Sequence, residues 1–147
     1  MLPMLRITRH FTLDELLLSR KAKELGIDNT QPPVSAIVNL TALVVEVLQP
    51  LRDYLSAPVI ITSGYRCNSL NQAVGGVKNS QHLTGQAADI TFYNSIDMER
   101  KALRYIREHL HFDQLIWEKR GNTRWIHVSF DTLHNRNQFI NKTNLLY

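Results

Sequence analysis

The sequence predicts an α+β domain: a small, mainly antiparallel sheet with helices packed on one side. Three observations carry this. Apolar residues recur at helical spacing through the first third of the chain, in two stretches. Short β-branched and aromatic runs follow at Val59-Ile60-Ile61-Thr62, Ala87 to Phe92, Gln114 to Lys119 and Trp125 to Phe130. A third helical pattern after Ser95 crosses between the second and third of these runs.

The first helix opens on Thr12-Leu13-Asp14-Glu15, a capping box in which Thr12 caps the amide of Glu15 and Glu15 reaches back. Phe11 and Leu16 occupy the staple positions around that cap, and Asp14 and Glu15 suit the positive helix start. The helix is expected to run to about Leu25 and to end at Gly26. Pro32-Pro33 separates it from a second helix whose apolar face comprises Ile37, Leu40, Val44, Val47, Leu48, Leu51 and Leu55. Pro50 removes one backbone donor from that pattern, so a kink is expected there. Asn68 to Val74 reads as a short helix closed by Gly75-Gly76, and Asn94 or Ser95 caps the third helix. Gly121-Asn122 marks a hairpin between the last two strands. The polar tail, residues 131–147, adds an edge strand or drapes over the surface.

The totals bound the function. At 147 residues the chain makes one domain with a core at about residues 11–130; 44% of residues are hydrophobic and 20% charged. A net charge of +4 suits solubility or an anionic wall polymer, and no basic run marks a nucleic-acid site. The single cysteine, Cys67, excludes an intrachain disulfide and a Cys-x-x-Cys knuckle; a small packed side chain is its expected role. No secretory signal pattern is legible and no apolar run is long enough to span a bilayer, so synthesis is expected in the cytoplasm, and any action outside it requires release by something other than a standard signal. A monomer is expected.

The chemistry concentrates in Ser63 to Asp89 and in Trp125-Ile126-His127-Val128. A lone histidine in a strand is ordinarily a hydrogen-bonded structural residue, and a lone aspartate caps a turn. Together, His82, Asp89 and His127 make a three-ligand set suited to one Zn²⁺ with an open fourth position. Gly85, between the first two, lets the backbone turn so that His82 on a loop meets Asp89 on a strand.

No His-Glu-x-x-His motif is present, so a general base must come from elsewhere, and Glu118 is the candidate. With a four-residue hairpin loop Arg120 pairs with Trp125 and Glu118 falls opposite His127, their Cβ atoms roughly 5 Å apart; a three-residue loop puts them on opposite faces. Arg66 is placed to hold a substrate carboxylate or an oxyanion. Ser80, Gln81, Tyr65 and Gln114 are candidates for supporting the ligands or contacting substrate. His109 and His111, near the end of the third helix, complement its dipole rather than bind metal.

The segments SGYRCNSLN, AVGGVKNSQHLTGQAADI, QLIWE and WIHVSF together resemble the zinc D-alanyl-D-alanine metallopeptidases. That group includes DD-carboxypeptidases, D-Ala-D-Ala dipeptidases and phage endolysin L-alanyl-D-glutamate endopeptidases; the hedgehog signalling domain shares the fold. The likeness runs from Phe11 to Phe130. It implies that His82, Asp89 and His127 are zinc ligands, that Arg66 orients substrate, and that the substrate is a peptidoglycan stem peptide. Many members carry their catalytic acid three residues before the last histidine, where this chain has Arg124. The subgroup it looks most like has a glutamate ending the preceding strand, which is Glu118. A single domain without a signal resembles a phage or prophage lysis enzyme. Two other readings stay open from the residues: a catalytically inactive zinc-containing module that binds a wall peptide or protein, suggested by Arg124, and a small protein with structural histidines.

Overall fold

A computed structural model describes residues 5–147. Strands β1 (Arg6–Thr8) and β2 (Phe11–Thr12) form a small ribbon ahead of the first helix. Thr12 and Glu15 form the expected capping box, and Gly26 ends the helical segment at φ +67°. Between them the expected single helix is two, α1 (Leu13–Leu17) and α2 (Arg20–Leu25). Leu18 turns extended and Ser19 starts a new helix by capping the Ala22 amide. A serine that offers its own cap competes with continuing the helix.

The second helical stretch runs as α3 (Val34–Leu43), a π-helical turn (Val44–Leu48) and α4 (Gln49–Leu55). The irregularity expected at Pro50 lies just before it. Pro50 sits in the first turn of α4, and the π-helical turn ahead of it, in which the Gln49 amide reaches five residues back to the Val44 carbonyl, is the local adjustment to its missing N–H. The expectation that no stretch could span a bilayer does not hold by length and composition: Val34–Leu55 is one continuous helix, apolar enough to cross. Its residues Leu40, Leu43, Val44, Val47, Leu48 and Leu51 are nonetheless fully buried in the core of the domain.

The main sheet has five strands in the order β3 (Ile60–Ser63), β4 (Ala87–Thr91), β6 (Thr123–Ser129), β5 (Gln114–Arg120), β7 (Gln138–Asn141). It is mixed rather than mainly antiparallel, because β7 pairs in parallel with β5. The tail achieves this by doubling back past the end of β6 before entering the sheet, a long-range pairing that leaves no local signature. Alternation divides the sheet. Ala88, Ile90, Leu115, Trp117, Ile126 and Val128 join a core cluster with α3, α4 and helix α6 (Ile96–His109), which Ser95 caps. The opposite face carries Asp89, His127, Ile116 and Glu118, and is bordered by α5 (Asn68–Ala73) and the loop after it.

One buried polar cluster ties the two layers. Glu99 on α6, only 2% exposed, receives Arg124 Nε at 2.8 Å, Arg124 Nη2 at 3.1 Å and Trp117 Nε1 at 2.9 Å.

Candidate metal centre

The loop holding His82 is zipped to the segment that follows β3. The His82 carbonyl accepts from the Arg66 and Gly85 amides, and the Gln86 amide closes back on the Gln81 carbonyl. Gly85 has φ +75°, as the sequence required, and a Cβ there would also lie 2.4 Å from the Ala36 carbonyl oxygen. Two constraints therefore demand glycine at this turn. The chain then enters β4, where Asp89 pairs directly with His127 of β6.

Three ligand atoms converge. Asp89 Oδ1 lies 3.4 Å from His82 Nε2 and 3.2 Å from His127 Nδ1. All three groups offer a ligand atom within 4.8 Å of one another, and they are the group of this kind found among the described residues. Ligands at zinc's bond lengths in a tetrahedron stand roughly 3.4 Å apart, so the spacing fits. The donor chemistry fits as well: His82 Nδ1 is 2.7 Å from the Gly64 carbonyl oxygen, which can only accept. That bond puts the proton on Nδ1 and turns the Nε2 lone pair toward Asp89. His82 and Asp89 are buried, whereas His127 is half-buried and borders the cleft.

Asp89 is kept ionised. Burial alone would raise its pKa, but the close approach of His127 and His82 outweighs that and holds the carboxyl below the usual carboxylate range. Arg66 bonds the other oxygen, with Nη2 3.3 Å from Asp89 Oδ2. Its Nε and Nη1 bond to Ser63 Oγ and Asn71 Oδ1. Three of the five guanidinium donors are thus committed inside the protein and two remain for the cleft.

The cleft has a volume of about 520 Å³ and is lined by Arg66, the three ligands, Glu118 and Trp125, among others. Glu118 reaches it by a different register from that expected. Arg120 pairs with Thr123, so the hairpin loop holds just Gly121 and Asn122, and Glu118 stands opposite Trp125 while Ile116 stands opposite His127. An even-numbered loop still leaves Glu118 and His127 on one face, as diagonal neighbours. Its Oε2 accepts from Trp125 Nε1 at 2.9 Å, and Lys142 Nζ approaches Oε1 at 4.0 Å. Arg124, by the same alternation, points to the other face and is held by Glu99.

The remaining candidates divide. Ser80 Oγ accepts from the His82 amide at 3.2 Å. Gln81 and Gln114 line the cleft, but bond to Asp113 and Gln138 rather than to a ligand. Tyr65 is 7% exposed, packs in the core and is not among the lining residues. Cys67 is partly buried against the core, and His109 lies in the last turn of α6, outside the cluster. Sequence reasoning missed Trp125 as the partner of Glu118, although the Gly121-Asn122 dipeptide, taken as a two-residue loop, would have paired them. It missed Asp113 and Arg136 as well, because the tail gives no local sign of where it returns.

No curated protein matches the chain. The family model described as Peptidase M15 matches residues 9–129, which takes in Arg66, both histidines, Asp89 and Glu118. Because that match covers most of the chain, the ligand triad included, the chain belongs to the peptidase M15 family.

Proposed function

We propose that this protein is a zinc-dependent peptidase that hydrolyses an amide bond in bacterial peptidoglycan stem peptides, as a D-Ala-D-Ala carboxypeptidase or an L-Ala-D-Glu type endopeptidase. Membership of the M15 family supports a zinc metallopeptidase. The observation that carries the reading is the convergence of His82, Asp89 and His127 on the floor of an open cleft with a carboxylate beside them. Zinc bound there supplies Lewis acidity, polarising a carbonyl and making water nucleophilic near neutral pH.

The chain's own groups do the rest. His82 is oriented by the Gly64 carbonyl and Asp89 by Arg66, so two of the three ligands are fixed before any metal arrives. Glu118, steadied by Trp125, takes the proton from the attacking water and returns it to the leaving nitrogen. Arg66 lines the cleft, and its two remaining donors are available to a substrate carboxylate or carbonyl oxygen. Arg124, which suggested an inert module, is spent on Glu99 behind the sheet and leaves the cleft to Glu118.

The test is digestion of purified muropeptides, with fragments read by mass spectrometry, before and after 1,10-phenanthroline. Chelator-sensitive release of new amino groups, restored by zinc, is expected. Intact muropeptides with the zinc-loaded protein would overturn the proposal.

A further inference from the structure

Residues 130–147 lie beyond the family match, yet one of them, Arg136, lines the cleft. After β6 the chain makes a tight turn in which Asp131 and Asn135 bond to each other through side chain and backbone. The Asn137 amide then bonds to the Phe112 carbonyl, and Gln138 pairs with Gln114. This path sets Arg136 beside Asp113.

Asp113 is 4% exposed and both its oxygens are filled. Oδ1 accepts from the Arg136 amide at 3.0 Å and from Nε at 2.9 Å; Oδ2 accepts from Nη2 at 2.7 Å and from Gln81 Nε2 at 2.8 Å. The guanidinium is therefore clamped along one edge, and the clamp is shared with the residue next to His82. Its other edge is free: Nη1 makes no hydrogen bond among the described residues. The side chain is half exposed, and it lines the cleft. A guanidinium fixed along one edge presents the other in a set orientation, the geometry that suits a planar carboxylate.

Its place is distinct from that of Arg66. Gln114, Ile116 and Glu118 share the cleft face of β5, and Arg136 sits at the Gln114 end, away from Glu118. At the rise of a strand, Gln114 is roughly 7 Å beyond Ile116, the residue opposite His127.

We propose that Arg136 is a specificity-determining residue. It forms a second carboxylate subsite that selects peptides carrying a free carboxylate within roughly one to three residues of the amide that is cut. The proposal rests on the peptidase reading above and adds a substrate feature to it.

The probe is a synthetic stem peptide, N-acetyl-L-Ala-γ-D-Glu-L-Lys-D-Ala-D-Ala, made in matched forms. The glutamyl α-carboxyl and the C-terminal carboxyl are each left free or converted to the carboxamide. For one of the two positions the wild type is expected to favour the acid over the amide by roughly 10-fold, the scale of a charge-assisted hydrogen bond. Arg136→Gln removes that preference through KM with kcat kept, and Arg136→Lys, which keeps the charge but not the fork, restores part of it. If both members of each pair suffer equally, or neither changes, Arg136 is only an anchor for the tail and the subsite is overturned.

Equilibrium binding of the same peptides to the zinc-loaded protein separates the two readings. Binding that prefers the acid through Arg136 without turnover sinks the peptidase and keeps the subsite. Turnover without an Arg136-dependent preference sinks the subsite alone, and the absence of both sinks both.

Discussion

The indole N–H of Trp125 donates to Glu118 Oε2 at 2.9 Å, across the pair of residues that directly face each other in the hairpin. The proposed base is thus aimed by its cross-strand partner and not by the candidate metal ligands. Trp125→Phe keeps the ring and removes the donor. It should lower kcat by roughly 10-fold, the worth of one hydrogen bond to a charged group, with zinc content unchanged. Glu118→Ala should lower kcat by roughly 100-fold or more, again with zinc retained. Steady-state kinetics with metal analysis reads both, and a Glu118→Ala enzyme as fast as the wild type would remove Glu118 from the mechanism.

Asp89 is the hub of the candidate metal site, within 3.4 Å of each histidine and of Arg66. Asp89→Asn keeps the shape but loses the charge that draws a cation. Zinc affinity should fall by roughly 100-fold or more, since even groups that only support a ligand cost up to that much. Elemental analysis after dialysis should find near one zinc per wild-type chain and far less in the variant. Equal retention in the two would mean that the ion, if any, is held elsewhere.

The triad was legible in the sequence because its parts are local or face each other by strand alternation. His82, Gly85 and Asp89 sit within one short segment, and the left-handed turn at Gly85 is a property of that residue type. The first cap was legible for the same reason, since Thr12 and Glu15 are three residues apart. The break at Leu18–Ser19 was not, because the apolar pattern continues through it while the Ser19 cap ends the helix. Hairpin register failed by two residues: the turn dipeptide was seen, but two-residue and four-residue loops give the same face, so face alone did not separate them. The Asp113–Arg136 pair and the parallel strand β7 depend on where a long polar tail lands, and no periodicity records that.

Behind the sheet, Glu99 and Arg124 form a buried ion pair that Trp117 completes. Arg124→Met should strand the Glu99 carboxylate and cost about 3–5 kcal/mol, a fall in Tm on the order of 10 °C for a chain of this size. The double variant Glu99→Leu with Arg124→Met strands no charge and should recover much of the loss. Thermal unfolding of the three proteins decides it: equal losses in the single and double variants would show that the pair contributes net attraction and not merely mutual neutralisation.

Asp113 gives the fold an acid-sensitive contact with a defined sign. The hydrogen bond from the Arg136 side chain, against the opposing effect of burial, holds its carboxyl at about 2, below the ordinary value near 4. A carboxyl depressed in the folded state binds its proton more readily once unfolded. Its stabilisation is therefore complete above the unfolded value and is lost as pH falls through the folded one. Asp113→Asn should be less stable than wild type by a constant margin from pH 7 down to about pH 5, and the gap should close between about pH 4 and pH 2. Urea unfolding of both proteins across that range cancels the other titrating groups, because they are common to the two. A gap that stayed constant down to pH 2 would mean that Asp113 contributes through packing and its place in the Gln81 bond, and not through the charge it shares with Arg136.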